Sequence, residues 1–147
     1  MSDLNLESYV THLPEFQVVC CLSCQACVPP KDPLAHYKGN HGLKSERPIS
    51  MNVRHKIADY MATLDLCEPN TVIAPQKLVP QLKVIKNGFV CNFDGCRDCA
   101  TTEPSMITHY YTHQEHIPKD FKNWESTSLQ TFFDGRNRKY GTCLISF

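Results

Sequence analysis

The chain has 147 residues, enough for one domain or two very small ones. Its 15 Lys and Arg residues balance its 15 Asp and Glu residues, so no overall positive field draws the chain to nucleic acid or to an anionic membrane. No apolar run approaches the roughly 20 residues that a membrane span needs, and we expect no membrane association.

The N-terminal residues 1–15 predict a tail. They contain no basic region followed by an apolar one, so no secretory signal is visible, and the expected location is intracellular, in the nucleus or the cytoplasm. In this reducing compartment the nine cysteines are better explained as metal ligands than as a disulfide framework.

Residues 16–44 carry the first metal-ligand pattern. Cys21 and Cys24 are separated by two residues, and after eleven more residues His36 and His41 are separated by four. Two thiolates from a tight turn and two imidazoles from one helix form the tetrahedral ligand set of a small zinc finger. We therefore predict a first zinc finger over these residues.

Residues 45–86 predict a helix followed by a proline-rich connector. In the segment "SMNVRHKIADYMATLDLC" apolar residues recur near helical spacing, and Ser50 or Asn52 is placed to cap the N-terminus. This apolar stripe consists of Val53, Ile57, Tyr60, Met61, Leu64 and Cys67. Because such a stripe faces a core more often than a partner, we expect the helix to pack on the fingers. The segment "CEPNTVIAPQKLVPQ" contains three prolines and predicts a loop.

Residues 87–117 carry the second metal-ligand pattern. Cys91 and Cys96 are separated by four residues, and after twelve more residues His109 and His113 are separated by three. The two patterns form an internal repeat, which favours metal binding over a set of ordinary buried cysteines and histidines. We therefore predict a second zinc finger.

The residues around both patterns predict their local structure. Asn87-Gly88 lies between apolar flanks and predicts a two-residue hairpin turn, and the second helix is expected from about Pro104. Prolines allow the helix of the first finger to begin no earlier than about Pro33. The apolar residues placed to form the second finger's core are Phe89, Ala100 and Met106.

Other cysteines and one histidine leave alternative ligand assignments open. Cys27 and Cys99 follow the two cysteine pairs at the same distance, and each immediately precedes an apolar residue that should face the finger core, Val28 or Ala100. Neighbours on an extended strand point to opposite faces, so both cysteines should point away from the metal. A rival assignment takes Cys24 with Cys27, and Cys96 with Cys99, as the two pairs of thiolates. Cys20 is an alternative to Cys21, and His116 is an alternative to His113.

Residues 118–147 predict an aromatic C-terminal β-hairpin. The segment "HIPKDFKNWESTS" predicts a loop, and "LQTFFDGRNRKYGTCLISF" predicts two short strands around Asp134-Gly135. A small finger has little core of its own, so the aromatic residues of this segment are expected to extend the core and to join the two zinc units. These residues are Trp124, Phe132, Phe133 and Tyr140.

Together these elements predict a small α+β domain stabilised by zinc. Two separated C2H2-like ββα zinc fingers are joined by a helical segment and followed by the β-hairpin. Metal binding would then be coupled to folding.

The two separated fingers, the middle segment "LVPQLKVIKNGFVC" and the tail "WESTSLQTFFDGRNRKY" resemble the fungal family named after protein D of the orsellinic acid biosynthesis cluster. The similarity extends from about Phe16 to Tyr140. The resemblance implies a zinc-finger-like module without an established activity, often part of a longer chain. Some members are linked to secondary-metabolite clusters or to helicase-like proteins.

The positions that read bases in DNA-binding fingers carry no base-reading side chain here. Arg, Lys, Asn or Gln at these positions supply bidentate contacts to bases, and none of them is present. This composition argues against sequence-specific reading of the major groove. Counting back from the first histidine of each finger, the positions are Pro29, Asp32 and Ala35, and Thr102, Ser105 and Thr108.

Catalysis has less support, because each site offers four protein ligands whereas a catalytic zinc keeps one position open for water. We therefore expect a non-enzymatic interaction module that holds two Zn²⁺ ions and binds an unidentified protein partner. The alternative is a nucleic-acid-binding regulator that contacts the phosphate backbone through Arg136, Arg138 and Lys139.

Overall fold

The computed structural model describes residues 5–42, 44–116, 122–134 and 138–142. The chain separates into two compact units. The first unit comprises Met1–Ile73 and Phe132–Asn137, and the second comprises Ala74–Thr131 and Arg138–Phe147. Each unit combines a β-sheet with helix, so the predicted α+β class is confirmed at this level.

The first unit contains a three-stranded antiparallel sheet with the order β1-β2-β3. Its strands are β1 (Val10–Leu13), β2 (Val18–Cys21) and β3 (Ala26–Cys27). All four residues of the central strand are buried, which fits its uninterrupted apolar sequence "VVCC". The sequence predicts a tail over residues 1–15, whereas β1 lies within this segment and pairs along its whole length with β2. Only this pairing distinguishes so short a segment from a tail.

Two helices follow in the first unit. α1 (Pro33–Asn40) begins at the predicted proline, and the Asp32 carboxylate accepts a hydrogen bond from the Ala35 amide at 3.2 Å. α2 (Met51–Ala62) is capped by Ser50, one of the two predicted caps, whose side chain accepts from the Val53 amide. The expected amphipathic helix is therefore present, although it ends before Leu64.

The core of the first unit joins α2 to the sheet and to α1. The buried side chains of this cluster are Val10, Val19, Cys21, Val28, Tyr37, Ile49, Val53, Ile57 and Met61. The Phe132 ring lies 4.9 Å from the Phe16 ring, and its carbonyl accepts a hydrogen bond from the Cys27 amide at 2.7 Å. Phe132 thus extends the first unit as expected.

The second unit contains a four-stranded sheet with the order β5-β4-β6-β7, together with α3 (Glu103–Tyr110). The strands are β4 (Ile85–Cys91), β5 (Cys99–Ala100), β6 (Trp124–Gln130) and β7 (Gly141–Thr142). Its core confirms the predicted packing around the second pattern. The buried cluster consists of Cys91, Met106, Tyr110 and Trp124, against which Phe89, Phe93, Cys96, Ala100 and Ile107 pack.

Two predictions of turn and loop in the second unit are wrong. Asn87-Gly88 lies inside β4 and not in a hairpin turn, because β4 pairs across this point with β6. A β-bulge or irregularity falls between Ile85 and Gly88, where the register shifts. Trp124 to Ser128, predicted as loop, form most of β6. Both errors arise because the pairing partner is distant in sequence.

Gly88 is required by packing inside this sheet. A Cβ atom added there would collide with the Leu129 side chain of β6. We therefore expect Gly88→Ala to lower the free energy of unfolding of the second unit by about 1–3 kcal/mol, as overpacked cores do. Urea denaturation monitored through Trp124 fluorescence measures this change. The contrasting variant is Gly39→Ala in α1, where no atom lies within 4 Å of the added group and a gain of about 0.5–1 kcal/mol is expected.

The C-terminal strands pair antiparallel, Leu129 with Thr142 and Gln130 with Gly141. This confirms two paired strands in the segment, while the predicted turn residue Gly135 lies outside the described residues.

The buried Gln130 amide holds the connector that precedes β4. Its Oε1 accepts from the Val79 amide at 2.8 Å, and its Nε2 donates to the Val79 carbonyl at 2.7 Å. Among the described residues, no helix has the length and apolarity to cross a membrane.

Candidate metal centres

The first unit brings together the side chains of Cys21, Cys24, His36 and His41, which we call the first cluster. Their ligand atoms all lie within 4.8 Å of one another. The Cys24 sulfur is 3.8 Å from His36 Nε2, and His41 Nε2 is 3.4 Å from both sulfurs. β2 and the turn after it supply the thiols, while α1 and its C-cap supply the imidazoles.

The second unit brings together Cys91, Cys96, His109 and His113, which we call the second cluster, again within 4.8 Å. The Cys96 sulfur is 3.3 Å from His109 Nε2, which lies 3.1 Å from His113 Nε2. β4 ends at the first of these residues, and α3 carries His109. The first three residues of each cluster therefore occupy equivalent places in a strand, the turn after it and a helix.

The distances fit a tetrahedral metal ion. An ion bound by sulfur at about 2.3 Å and by nitrogen at about 2.1 Å places sulfur and nitrogen about 3.6 Å apart and two nitrogens about 3.4 Å apart. The sulfur to nitrogen distances of 3.3 to 3.8 Å and the nitrogen to nitrogen distance of 3.1 Å lie close to these values. Each cluster can therefore hold one metal ion with four protein ligands.

Burial in the first cluster favours the neutral forms of one thiol and one imidazole. Burial, followed by the proximity of Cys21, raises the pKa of the Cys24 thiol to about 12. Burial, followed by repulsion from His41, lowers the pKa of His36 to about 4. The imidazole is thus held in the neutral form that a metal requires. The Cys24 thiol therefore needs a nearby positive charge to ionise, which a divalent cation would provide.

Backbone carbonyls orient the last ligand of the first cluster. His41 Nδ1 lies 2.8 Å from the Arg47 carbonyl oxygen, so that Nδ1–H donates and Nε2 is left to face the two sulfurs. The Arg54 guanidinium then fixes this segment, because Nη2 donates to the His41 carbonyl and Nε donates to the Ile49 carbonyl, both at 2.7 Å. Sequence reasoning missed Arg54. It lies three and seven residues before Ile57 and Met61, and therefore on the buried face of α2.

An aromatic side chain supports the last ligand of the second cluster. The Phe93 ring stacks on the His113 ring at 4.5 Å with an interplanar angle of 17°. It also meets the Tyr110 ring edge-on at 5.6 Å. The Asp98 carboxylate lies 3.9 Å from His109 Nδ1, on the side of that ring away from Cys96. The ligand spacing gave no reason to single out Phe93, because it is one of the four residues between Cys91 and Cys96.

Both clusters use the same turn after the second cysteine. Gln25 and Arg97 follow Cys24 and Cys96 and have positive φ angles of 55° and 63°. The Gln25 amide donates to the Cys21 carbonyl at 2.8 Å, and the Arg97 amide donates to the Cys91 carbonyl at 2.9 Å. The repeat found in the sequence therefore extends to the backbone conformation.

The left-handed conformation of Gln25 leads to a testable prediction. A residue with a Cβ is strained at this φ angle and glycine is not, so we expect Gln25→Gly to raise the free energy of unfolding of the first unit by about 0.5–1 kcal/mol. Thermal unfolding of the metal-loaded protein measures this gain. Gln25→Ala keeps the strain and should leave the stability unchanged. An equal gain in both variants would contradict the backbone explanation.

The remaining candidate ligands lie outside both clusters, as Cys20, Cys27, Cys99 and His116 are absent from these groups of four. Cys27 hydrogen-bonds to Cys20, and the Cys99 thiol donates to the Arg97 carbonyl at 3.5 Å. The basic residues Arg138 and Lys139 are exposed, whereas Arg136 lies outside the described residues. The structure thus groups the eight residues that the spacing selected.

Residues 8–115 match the family described as Orsellinic acid/F9775 biosynthesis cluster protein D. The chain belongs to this family. The matched segment contains all eight residues of the two clusters, so the candidate metal centres lie within the part shared with the family. The family description names a biosynthetic gene cluster and no reaction. No curated protein and no solved structure matches the chain significantly.

Proposed function

We propose that this protein is a non-enzymatic zinc-binding module in which two structural C2H2-type sites stabilise two ββα finger units that present a surface to a protein partner. One observation carries the proposal: each cluster offers four protein ligand atoms within 4.8 Å of one another. A structural zinc site is closed in this way, whereas a catalytic site leaves one position for water or substrate.

Zinc is the metal that this donor set suits. Two thiolates and two imidazoles in a tetrahedral arrangement match the preference of Zn²⁺, while hard cations such as Mg²⁺ prefer oxygen ligands. Both clusters also belong to the cores of their units, since Cys21 and Cys91 are fully buried among apolar side chains. Zinc binding would therefore contribute directly to folding.

The second finger helix offers little for reading bases. The Thr102 side chain caps α3 and donates to the Ser105 hydroxyl at 2.9 Å, and the Thr108 hydroxyl donates to the Pro104 carbonyl at 3.1 Å. The hydroxyl groups at all three base-reading positions thus have partners within their own helix. This supports a protein partner over groove recognition.

The corresponding face of the first finger helix is partly covered. Pro29, Asp32 and Ala35 line a cavity whose other wall includes Phe133 and Asp134. A helix must lie directly against base edges to read them in the major groove, and the C-terminal residues occupy part of that space. The carboxylates of this cavity would also repel phosphate.

Native mass spectrometry tests the zinc proposal. Protein purified without added metal should carry two zinc ions, and a chelator should remove them together with the secondary structure seen by circular dichroism. A preparation without zinc that keeps its thermal unfolding transition would refute a structural role for the metal. One ion per chain would restrict the role to one unit.

The nucleic-acid alternative is tested by salt dependence. Contacts to phosphate release counterions, so affinity for unrelated DNA duplexes would fall steeply with salt concentration. We expect no measurable binding at low salt. Salt-dependent binding that is reduced by Arg138→Ala with Lys139→Ala would favour the alternative over a protein partner.

A further inference from the structure

Cys20 and Cys27 form a pair of cysteines that neither cluster uses. They face each other across β2 and β3 as direct register partners, and they are 0% and 4% exposed. The Val28 amide donates to the Val19 carbonyl at 2.8 Å, and the Cys27 amide donates away from β2 to the Phe132 carbonyl. Cys20 and Cys27 are therefore a non-hydrogen-bonded pair, the type that brings two side chains closest together.

The geometry of this pair suits a disulfide. Residues in a non-hydrogen-bonded antiparallel pair have Cα atoms about 4.5 Å apart, within the range of about 4.4–6.8 Å found for disulfides. The two side chains hydrogen-bond to each other, and both residues are thiols in this structure. Sequence alternation along β2 sends Cys20 to the face opposite Cys21, so the pair is separate from the first cluster.

We propose that Cys20 and Cys27 form a redox-reactive dithiol site whose substrate is a low-molecular-weight disulfide such as glutathione disulfide. One cysteine, as its thiolate, attacks a sulfur of the small disulfide and forms a mixed disulfide, releasing one small thiol. The second cysteine then attacks the protein sulfur of the mixed disulfide and releases the second small thiol. The protein loses two hydrogens, and the small disulfide is reduced to two thiols.

Access to the pair is provided on one side by a cavity of about 470 Å³ in the first unit. Cys27 lines this cavity together with Ala26 and Phe133, and Cys24 and His36 of the first cluster line it as well. Of the two cysteines of the pair, Cys27 borders this cavity, whereas Cys20 is fully buried and is not part of its lining. β3 is only two residues long, so little pairing must open for the exchange.

The disulfide would close a loop that contains both thiols of the first cluster. Cys21 and Cys24 lie between Cys20 and Cys27 in the chain, in the turn that connects β2 to β3. Oxidation of the pair would join the two ends of this turn without consuming a candidate metal ligand. We therefore expect the oxidised protein to retain both metal ions.

The test uses the metal-loaded full chain in buffers of increasing glutathione disulfide content. After quenching, the protein is denatured, alkylated and weighed intact, which counts its thiols against the nine cysteines of the chain. Wild type should lose two alkylation sites at the oxidising end, with no glutathione attached and with both metal ions still bound in native spectra. Cys20→Ala and Cys27→Ala should lose this two-site step, whereas the control Cys67→Ala should keep it.

Two results would overturn the proposal. The first is a wild type that keeps nine alkylation sites under the most oxidising condition. The second is release of metal in step with the loss of alkylation sites, because the cluster thiols would then be the oxidised groups. Cleavage after Glu15 and Lys31 gives a mapping experiment on wild type that does not depend on the folding of any variant. Its peptide should carry alkyl groups on Cys21 and Cys24 only, and alkylated Cys20 would refute the assignment.

Discussion

Cys21→Ser is expected to remove one metal ion from the protein and to unfold the first unit, while the second unit keeps its ion and its structure. The serine hydroxyl is a far weaker zinc ligand than a thiolate, and structural zinc contributes about 10–16 kcal/mol to the folding of small domains. Among the described residues, the buried cluster around this residue has nine side chains, too few to replace that contribution. Native mass spectrometry counts the ions, and NMR spectra report each unit through its own methyl signals, such as those of Val19 and Met106.

The matched variants make this experiment specific. Cys91→Ser should produce the mirror result, with loss of the second ion and of the Met106 signal. Cys67→Ser is the control, because this partly buried cysteine lies outside both clusters and its thiol donates to the Phe16 and Gln17 carbonyls. If Cys21→Ser kept two ions and the Val19 signals, a neighbouring cysteine would have replaced it as ligand.

The ligand pattern could be predicted from the sequence because it is local. The interval between Cys21 and Cys24 forms one tight turn, and the interval between His36 and His41 spans about one turn of α1. Caps are local as well, since Ser50 and Asp32 act on amides three residues away. These signals need no knowledge of the rest of the chain.

The strands were less predictable than the ligand pattern, because their pairing partners are distant in sequence. Gly88 reads as the second residue of a turn until β6, about 40 residues later, is placed beside it. The segment that begins at Trp124 reads as a loop because four polar residues follow the tryptophan, two of them exposed and two half-buried in the structure. Gly88 in fact marks the close approach of Leu129.

Arg54 shows how a polar residue can belong to a core. A sequence pattern that counts only apolar residues omits it, although it is 7% exposed and lies on the buried face of α2. Its guanidinium donates to the His41 and Ile49 carbonyls, in the segment that follows the last ligand of the first cluster. In this way α2 stabilises the segment that follows His41, in addition to covering the apolar core.

Arg54→Met is therefore expected to lower the free energy of unfolding of the first unit by about 2–4 kcal/mol, because two charge-assisted hydrogen bonds are lost and the Ile49 carbonyl is left without its donor. Urea denaturation of the metal-loaded protein measures the loss. Chelator competition should also show faster release of the ion from the first cluster than from the second, since His41 is held less firmly.

Arg54→Lys separates the shape of the guanidinium from its charge. A lysine ammonium keeps the charge but cannot present two fixed donors to the His41 and Ile49 carbonyls, so most of the loss should remain. Lys56→Met is the control on the exposed face of the same helix and should stay within about 0.5 kcal/mol of wild type. A lysine variant as stable as wild type would mean that charge alone suffices. An Arg54→Met variant with unchanged metal release would show that the guanidinium stabilises the segment without positioning His41.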